Sequence, residues 1–325
     1  MARKNESIAV TGLNTFVGRE VVKRLTRDGR RVVGIDLDRP RDLPQSVQFY
    51  KVDLTLPTSD AILADIFRRE KVGRLIHLSF LSRPSRNVSW QHELQVIGTL
   101  HLLHACAAEN VKQIVVKSRT MVYGAHPLNP NYLTEDAPLR GVDGYRWVGD
   151  LVEVEQILQR YRSRHLDANV ISLRFAPILG PTVRNVFTLL FGQPAVMTLF
   201  GYDPLWQLVH EEDAIAAVLR AADADANGAF NIVGRHVLPL SSLIYLAGRV
   251  NLPVPHPLAY GLVRTAWLAG ASPVPAEHLD YARFLWVADG ARAEAALGFV
   301  PTYSTRETME QFAGVQRLRD AHLAA

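Results

Sequence analysis

Residues 7–18 read SIAVTGLNTFVG, and this stretch decides the fold. Its first five residues are mostly apolar and include β-branched types, which is typical of a short buried strand. Gly12 and Gly18 enclose a turn, and from Gly18 to about Arg27 the apolar residues recur with helical spacing. A strand, a glycine-rich turn and a helix in direct succession predict the first unit of a parallel α/β sheet.

The same alternation continues outward along the chain. Short apolar runs rich in valine and isoleucine alternate with longer stretches of helical period, as expected of a parallel sheet covered on both faces. Two further runs in the second half extend the sheet. We therefore predict a doubly wound parallel sheet of the Rossmann type. The predicted strands lie in SIAVTG, RRVVGIDL, QFYKVDL, RLIHLSF, QIVVKS, DANVISLRFAPILGP and GAFNIVG.

The composition limits what kind of protein this can be. The chain has 325 residues, of which 48% are hydrophobic, so it can bury a sizeable core. Its net charge is +4 with basic and acidic residues interspersed, which argues against a nucleic-acid partner. No apolar stretch predicts an export signal or a membrane span. The single cysteine, Cys106, fits a reducing compartment, and we expect a cytoplasmic protein.

The glycine-rich turn and an acidic residue downstream together predict a dinucleotide site. Gly12 and Gly18 would let backbone N–H groups and a helix N-terminus face a pyrophosphate. Asp36 ends the second strand 18 residues after Gly18, where a carboxylate would bind an adenosine ribose and repel a 2′-phosphate. This favours NAD over NADP. Asp53 follows the third strand and could meet the adenine or, alternatively, cap a turn.

Two parts of the chain are expected to have different roles. Residues 1–176, completed by about 206–236, form the predicted dinucleotide-binding domain. Residues 177–205 and 237–325 are rich in Pro, Trp and Leu without the strand–helix alternation, and they predict a smaller, interleaved substrate-binding region. Such a region would close over the carboxyl edge of the sheet, where ligands of open α/β sheets bind.

Seven ordered motifs make the chain resemble the extended short-chain dehydrogenase/reductases of the NAD-dependent epimerase/dehydratase type. The turn TGLNTFVG resembles T-G-x-x-G-x-x-G, and MVYG at 121–124 resembles the V-Y-G after the fifth strand of that family. The likeness covers nearly the whole chain and implies a Rossmann fold with NAD as cofactor. The other motifs are HLSF at 77–80, TEDAPLRG at 134–141, LRFAPILGP at 173–181, VHEEDAIAA at 209–217 and NIVG at 231–234.

The resemblance implies cofactor contacts near the ends of the first four strands. Thr15 departs from the family's middle glycine: its side chain adds bulk beside the pyrophosphate, although its hydroxyl could donate to a phosphate oxygen. His77 is expected to line the groove as a structural residue. No histidine has further ligands at metal spacing, so no metal site is expected. The implied contacts are Gly12, Asn14, Thr15, Phe16, Gly18, Asp36, Asp53, Leu54, His77 and Ser79.

The catalytic positions depart further from the family's pattern. Resembling enzymes use a tyrosine as acid/base, a lysine four residues on, a serine or threonine after the fifth strand and often an asparagine. Here Tyr145 keeps the tyrosine, but Gly149, Arg119 and Gln95 stand at the other three places. A free phenol has a pKa of about 10, and a nearby cation is what favours its ionised form. No lysine follows Lys117, so no downstream lysine replaces the missing one, and conventional chemistry is predicted to be lost or severely slowed.

Several interpretations of this departure stay open. The site can have decayed into that of a cofactor-sensing or binding protein, with Tyr145 kept as a packed aromatic. Alternatively, Arg119 points into the site and replaces the missing cation beside Tyr145, which would leave an active oxidoreductase or epimerase. The serine could also be displaced onto Ser118 or Thr120, but alternate residues of a strand face opposite sides. Arg146 is expected to form a solvent salt bridge.

The resemblance implies a small-molecule substrate, either a nucleotide sugar or a lipid-like alcohol. The stretch PLAYGLVRTAWLAG at 257–270 would suit an apolar pocket wall or, alternatively, a packed helical core. Arg174 and Arg184 could address a diphosphate or lie on the surface. The helices over Glu93–Glu109 and from Tyr145 resemble the pair by which family members dimerise, which implies a homodimer.

Three other residues are given roles by the resemblance alone. His210 and Asp213, in the motif VHEEDAIAA, are expected to be structural supports near the substrate region. Tyr123, in MVYG, is expected to line the cofactor cleft.

Overall fold

A seven-stranded parallel sheet lies at the centre of the fold. The structure is a computed structural model; it describes residues 6–324, and side-chain surroundings up to residue 319. The strands, from one edge of the sheet to the other, are β11 (Gly228–Ile232), β6 (Asn169–Phe175), β5 (Gln113–Arg119), β4 (Val72–His77), β1 (Ser7–Thr11), β2 (Val32–Asp36) and β3 (Gln48–Lys51).

Helices connect these strands and also build most of the second half of the chain. Six further strands form two-stranded pairs: β7 (Ile178–Leu179) with β10 (Val209–His210), β9 (Leu205–Trp206) with β12 (Leu238–Pro239), and β8 (Ala195–Leu199) with β13 (Val250–Val254). The helices are α1 (Phe16–Arg27), α2 (Ser59–Glu70), α3 (Val88–His92), α4 (Gly98–Ala108), α5 (Arg146–Arg164), α6 (Val186–Gly192), α7 (Glu211–Asp223), α8 (Leu240–Leu246), α9 (His256–Leu268), α10 (Ala291–Leu297) and α11 (Thr305–Ala324).

Helix α1 shows how the sequence positions the first turn. Val17, Val21 and Leu25 recur at helical spacing and are all buried. Each buried side chain of this kind contributes about 1.5–3 kcal/mol relative to an exposed one, so this face fixes α1 against the sheet. The helix therefore begins directly at the turn that follows β1, with its N-terminus at the carboxyl edge of the sheet.

The predicted doubly wound parallel sheet of Rossmann type is confirmed. The seven predicted runs overlap the seven strands of the sheet in order, and helices separate successive strands except between β2 and β3. One helix differs from the prediction. The helix expected over Glu93–Glu109 starts earlier, at α3, and is interrupted by a π-helical turn at Glu93–Ile97 before α4 begins. Such turns are frequent at functional sites.

The second half of the chain packs on the sheet through one continuous core. Trp206, Tyr281 and Trp286 belong to the same buried cluster as Val10 in β1. The Tyr281 hydroxyl donates to the Met121 carbonyl at 2.7 Å, which ties this region to the segment after β5. The assignment of residues 177–205 and 237–325 to a substrate-binding region stays a prediction.

The stretch 257–270 lies neither in a packed core nor at the wall of the cavity described below. It forms most of α9, in which Ala259 is the one buried residue while Leu258, Leu262 and Leu268 are all exposed. The packed helical core was therefore the wrong interpretation for α9, because too little of the fold covers its outer face. Among residues 6–324, no helix is both long and apolar enough to cross a bilayer.

Candidate functional site

The glycine-rich turn brings two backbone segments into very close approach. Gly12 has a φ of +76°, and a Cβ there would lie 2.4 Å from the carbonyl carbon of Leu78 after β4. A Cβ at Gly18 would lie 2.1 Å from the Gly12 carbonyl oxygen. Both positions therefore require glycine, since any side chain would force β1, β4 and α1 apart. This packing keeps the N-terminus of α1 open toward the sheet edge.

Thr15 is the N-cap of α1. Its hydroxyl donates to the Gly12 carbonyl at 2.7 Å and accepts from the Gly18 N–H at 3.1 Å. The hydroxyl proton is therefore used inside the turn, and the predicted donation to a phosphate oxygen is wrong for this arrangement. Asn14 is exposed and Phe16 half-buried, and both line the cavity described below.

The two carboxylates predicted to meet the adenosine both hold local backbone structure. Asp36 accepts from the Asn14 N–H at 3.1 Å and from the Leu37 N–H at 2.7 Å. Each oxygen keeps a free lone pair for a ribose hydroxyl. Asp53 Oδ1 accepts from the N–H and the hydroxyl of Thr55 at 2.9 and 2.7 Å. This oxygen therefore caps a turn, which is the second of the two predicted roles. Contact of Asp53 with an adenine stays a prediction.

His77 is a structural residue. It is 1% exposed, and its Nδ1 and Nε2 pair with the hydroxyls of Thr11 at 2.7 Å and Thr99 at 3.0 Å. Burial lowers the pKa of His77 to about 3, so the ring is neutral at physiological pH. Both nitrogens are occupied, which leaves none for a cofactor. Of the other predicted contacts here, Leu54 is buried and Ser79 half-buried.

A cavity of about 260 Å³ opens at the carboxyl end of β5, and we call it the β5 cavity. It is lined by the turn from Asn14 to Val17, by Lys117, Arg119 and Met121, and by the segments 175–178 and 182–185. The cavity thus joins the predicted pyrophosphate turn to the segments that follow β5 and β6. This is where open α/β sheets bind ligands.

Lys117 was not among the predicted site residues. The side chain lines the β5 cavity, is 7% exposed and makes no hydrogen bond or ion pair among the described residues. Burial, and secondly the positive charge of Arg119, lower the pKa of Lys117 to about 7. The signal was present in the sequence, because residues two apart on a strand share a face and Arg119 was already singled out.

Tyr145 does not line the β5 cavity in the way a catalytic acid/base would. It is the N-cap of α5, is 2% exposed, and its hydroxyl pairs with His278 Nδ1 at 3.0 Å. Burial raises the pKa of the phenol well above its usual value, and the charge of Arg119 offsets this only in part. Burial likewise lowers the pKa of His278 to about 4. Tyr145 and His278 are therefore a neutral pair at physiological pH.

Arg119 is held by partners other than Tyr145. Its Nη2 donates to the Leu81 carbonyl at 2.5 Å, and its guanidinium carbon lies 4.0 Å from the centre of the Trp147 ring. No hydrogen bond joins it to the Tyr145 hydroxyl in the described part of the chain. Burial lowers the pKa of Arg119 to about 10, which leaves it cationic at neutral pH. Its Nη1 is buried without a hydrogen-bond partner.

Gly149 lies four residues after Tyr145 in α5, where a Cβ would be unhindered. A Cβ built at Gly149 meets no atom within 4 Å, and the residue is half-buried. Gln95, at the asparagine position, accepts from the Leu81 N–H at 3.3 Å, while its Nε2 is buried without a partner. The backbone at position 149 therefore leaves room for a Cβ.

Several other predicted roles are settled by contacts. Tyr123 is fully buried and hydrogen-bonded to Asn231 at 2.6 Å, so it does not line the cleft. Arg174 forms a buried ion pair with Glu155 at 2.8 Å, which excludes it as a diphosphate ligand, whereas the exposed Arg184 lines the β5 cavity.

The remaining contacts agree with the expectations. His210 caps α7, and Asp213 accepts from the N–H groups of Thr302 and Tyr303, so both support the fold. Neither Ser118 nor Thr120 lines the cavity that Arg119 faces.

One side-chain cluster has the residue types of a metal site. His92, Asp150 and Glu153 place ligand atoms within 4.8 Å of one another, although the sequence analysis expected no such grouping. Asp150 is buried and also accepts from Gln91 at 2.7 Å, and Arg146 Nη2 lies 3.4 Å from it, so the salt bridge of Arg146 involves a buried carboxylate rather than one in solvent. The Arg146 cation therefore already balances the carboxylate.

Comparisons with known proteins agree with this fold. The profile of the NAD dependent epimerase/dehydratase family matches residues 8–233. An uncharacterised protein of Mycobacterium tuberculosis strain H37Rv is 30% identical over 314 residues, which cover 94% of this chain and 82% of the relative. UDP-glucose 4-epimerase of Mycolicibacterium smegmatis is 28% identical over 264 residues, covering 75% of this chain and 82% of that protein.

Solved structures show the same architecture. UDP-glucose 4-epimerase of Thermotoga maritima superposes with a TM-score of 0.74 at 19% identity, covering 96% of this chain and 99% of that one. A short-chain dehydrogenase/reductase superfamily protein of Agrobacterium tumefaciens with bound NAD gives 0.73 at 21% identity, covering 98% and 99%. The family match spans well over half of the chain and includes the glycine-rich turn and Tyr145. The chain belongs to the NAD-dependent epimerase/dehydratase family.

Proposed function

We propose that this protein binds NAD but does not transfer hydride by the tyrosine–lysine mechanism usual in its family. Its role would be to bind or sense the dinucleotide together with a small-molecule ligand. The proposal has two parts, the retained cofactor site and the altered catalytic positions, and each can be tested separately.

The cofactor site fits NAD by its own geometry. The turn from Gly12 to Gly18 would hold the pyrophosphate, because its glycines let α1 begin close against β1 and β4, with the N-terminus of α1 at the carboxyl edge of the sheet. Asp36 would hold the adenosine ribose with its free lone pairs, and its negative charge disfavours a 2′-phosphate. When bound, NAD supplies the capacity to accept or donate a hydride.

The loss of conventional chemistry rests on one observation, the environment of Tyr145. Its hydroxyl is buried against His278 Nδ1 at 3.0 Å, and burial raises its pKa well above the usual value. An acid/base must reach the proton that it transfers and must have a pKa near the operating pH. Tyr145 meets neither condition, since Gly149 supplies no cation and Arg119 is bonded to Leu81 and stacked on Trp147.

Calorimetric titration with NAD, NADH and NADPH tests the cofactor site. We expect NAD and NADH to bind and NADPH to bind at least about tenfold more weakly, because a 2′-phosphate would face the Asp36 carboxylate. An Asp36→Ala variant should reduce that preference. Absence of binding for all three dinucleotides would remove the proposed function.

Two assays test the catalytic part: absorbance of NADH with a sterol alcohol as candidate substrate, and chromatographic separation of UDP-glucose from its 4-epimer, because epimerisation leaves no net NADH. We expect no turnover in the native protein or in Tyr145→Phe. The Gly149→Lys, Arg119→Ser double variant restores two family positions but leaves the Tyr145 hydroxyl paired with His278, so it is also expected to show no turnover. Turnover in the native protein that disappears in Tyr145→Phe would contradict the proposal.

A second candidate function is an oxidoreductase or epimerase that uses Tyr145 with Arg119. The observation in its favour is electrostatic: the charge of Arg119 lies near enough to lower the pKa of Tyr145 against the effect of burial. The substrate would then be a nucleotide sugar, as in the UDP-glucose 4-epimerases to which the chain is similar. This candidate requires turnover that both Tyr145→Phe and Arg119→Ser abolish.

We also keep a cytoplasmic location and a homodimer as proposals. The single cysteine, Cys106, is buried and unpaired by any disulfide, which suits a reducing compartment. A dimer would use α4 and α5, the helices at the positions implied by the resemblance to the family. Sedimentation of the full chain over a concentration series would measure the assembly state directly.

A further inference from the structure

We infer that Lys117 and Arg119 form a subsite for the oxyanion of a small organic ligand, a carboxylate or a phosphate, at the β5 end of the cavity. The inference deepens the proposed function, because the cavity also contains the turn proposed to hold NAD. It rests on the charges that line the cavity, on the burial of two of them and on donor atoms without partners.

The lining of the β5 cavity carries charge of one sign only. Arg19 comes from α1, Lys117 and Arg119 from β5, and Arg184 from the segment before α6. No aspartate or glutamate lines it within the described residues. The nearby Glu211 carboxylate is occupied, because it accepts from the backbone of Thr182 and Val183. A cavity that focuses positive charge in this way attracts anions.

Two of these cations are buried with no counter-ion. Lys117 is 7% and Arg119 is 8% exposed, and neither forms an ion pair in the described part of the chain. Burial of an unpaired charge costs several kcal/mol, and a paired oxyanion is what recovers that cost. Alternation along β5 directs both side chains to the same face, so one ligand group can meet both.

Donor atoms are available for such a ligand. Lys117 Nζ has no hydrogen-bond acceptor among the described residues, and Arg119 Nη1 is buried without one, although Nη2 is bonded to Leu81. An ammonium and a guanidinium N–H can together bind two oxygens of a carboxylate or phosphate through charge-assisted hydrogen bonds. The remaining wall includes Phe175, Ile178 and Phe187, which would contact the carbon part of an organic anion.

Calorimetric titration with sodium propanoate and with inorganic phosphate, each with and without saturating NAD, tests the subsite. We expect at least one anion to bind with a millimolar Kd that persists when NAD is bound. Lys117→Met and Arg119→Met should each weaken it at least about tenfold, whereas Lys51→Met, on the exposed surface, should leave it unchanged. The anion with the lower Kd shows whether the subsite prefers a carboxylate or a phosphate.

Lys117→Arg keeps the positive charge, so it distinguishes a loss of anion binding from a loss of the native fold. It should retain anion affinity while Lys117→Met loses it, with both variants checked for native circular dichroism. Because the pKa of Lys117 is about 7 without ligand, propanoate affinity should fall by about fiftyfold from pH 7 to pH 9 in the native protein. In Lys117→Arg the affinity should stay nearly constant over that range, since arginine remains charged.

Other outcomes would overturn the inference. If phosphate binds only in competition with NAD and is unaffected by Lys117→Met, it occupies the position of the cofactor's own phosphates. If neither anion binds, there is no subsite. The NAD titration on the same samples distinguishes the two proposals. NAD binding without anion binding contradicts only the anion subsite. Anion binding without NAD binding contradicts only the cofactor proposal.

Discussion

The Arg119 guanidinium carbon lies 4.0 Å from the centre of the Trp147 ring, which places a cation against the face of a buried indole. Trp147 follows Tyr145 by two residues at the start of α5, so the helix that carries the family's tyrosine also holds the arginine. The indole face offsets part of the cost of burying this guanidinium, which has no ion pair among the described residues. Arginine at position 119 and tryptophan at position 147 therefore act as one structural unit.

Trp147→Leu should destabilise the fold. Trp147 is 1% exposed, and the change removes both its packing and the contact with Arg119. We expect a loss of about 3 kcal/mol in the free energy of unfolding, measured by urea denaturation. Trp90→Leu, at a site 38% exposed, is the control and should change it by no more than about 0.5 kcal/mol. Equal effects of the two changes would show that Arg119 does not depend on Trp147.

Tyr145→Phe should affect stability and leave cofactor binding unchanged. Removal of the hydroxyl leaves His278 Nδ1 buried without its partner, which costs about 1–2 kcal/mol. The Kd for NAD should stay the same, because the hydroxyl faces His278 rather than the β5 cavity. Tyr132→Phe, at an exposed tyrosine, serves as the control for stability. A marked rise in the Kd for NAD would place the Tyr145 hydroxyl in the cofactor site.

The sequence predicted local features well and distant contacts poorly. The strand–helix alternation, the turn at Gly12 and the place of Tyr145 at the start of α5 depend on residues close together in the chain. The partner of Tyr145 is His278, which lies 133 residues away and belongs to no motif. Such a contact depends on how the second half of the chain packs, and one sequence carries no local signal of it.

Lys117 is a different case, because it could have been found. In the family that the chain resembles, the lysine stands on the helix after the tyrosine, and this chain has no lysine after Lys117. The period of a strand puts residue 117 on the same face as residue 119, two positions away. The burial of Lys117 could not be predicted from the sequence, because it depends on the segments after β6 and on α1.

Gly12→Ala should abolish NAD binding and destabilise the protein. The new Cβ would lie 2.4 Å from the Leu78 carbonyl carbon, so the turn must move away from β4. Gly29→Ala is the matched control, since Gly29 also has a positive φ, +72°, but its Cβ would meet nothing within 4 Å. It should lose only about 1 kcal/mol from backbone strain and should bind NAD normally. Normal binding in Gly12→Ala would contradict the close approach at this turn.

Lys117→Met should stabilise the protein, and the gain should depend on pH. The pKa of Lys117 is about 7 in the folded protein and near 10.5 when the side chain is unfolded and hydrated. Between these values the unfolded chain holds a proton that the folded one does not, so the stability of the native protein rises with pH through this window. Below pH 7 both states are protonated and the whole cost of burying the charge remains.

Methionine removes that cost, so the variant should exceed the native protein by about 2 kcal/mol or more at pH 6. The difference should shrink steadily toward pH 10, as measured by urea denaturation at each pH. Lys51→Met, at a side chain 74% exposed, should show no such trend. A difference independent of pH would mean that Lys117 keeps its proton at an ordinary pKa. The β5 cavity would then already supply the charge or the solvent that stabilises the ammonium.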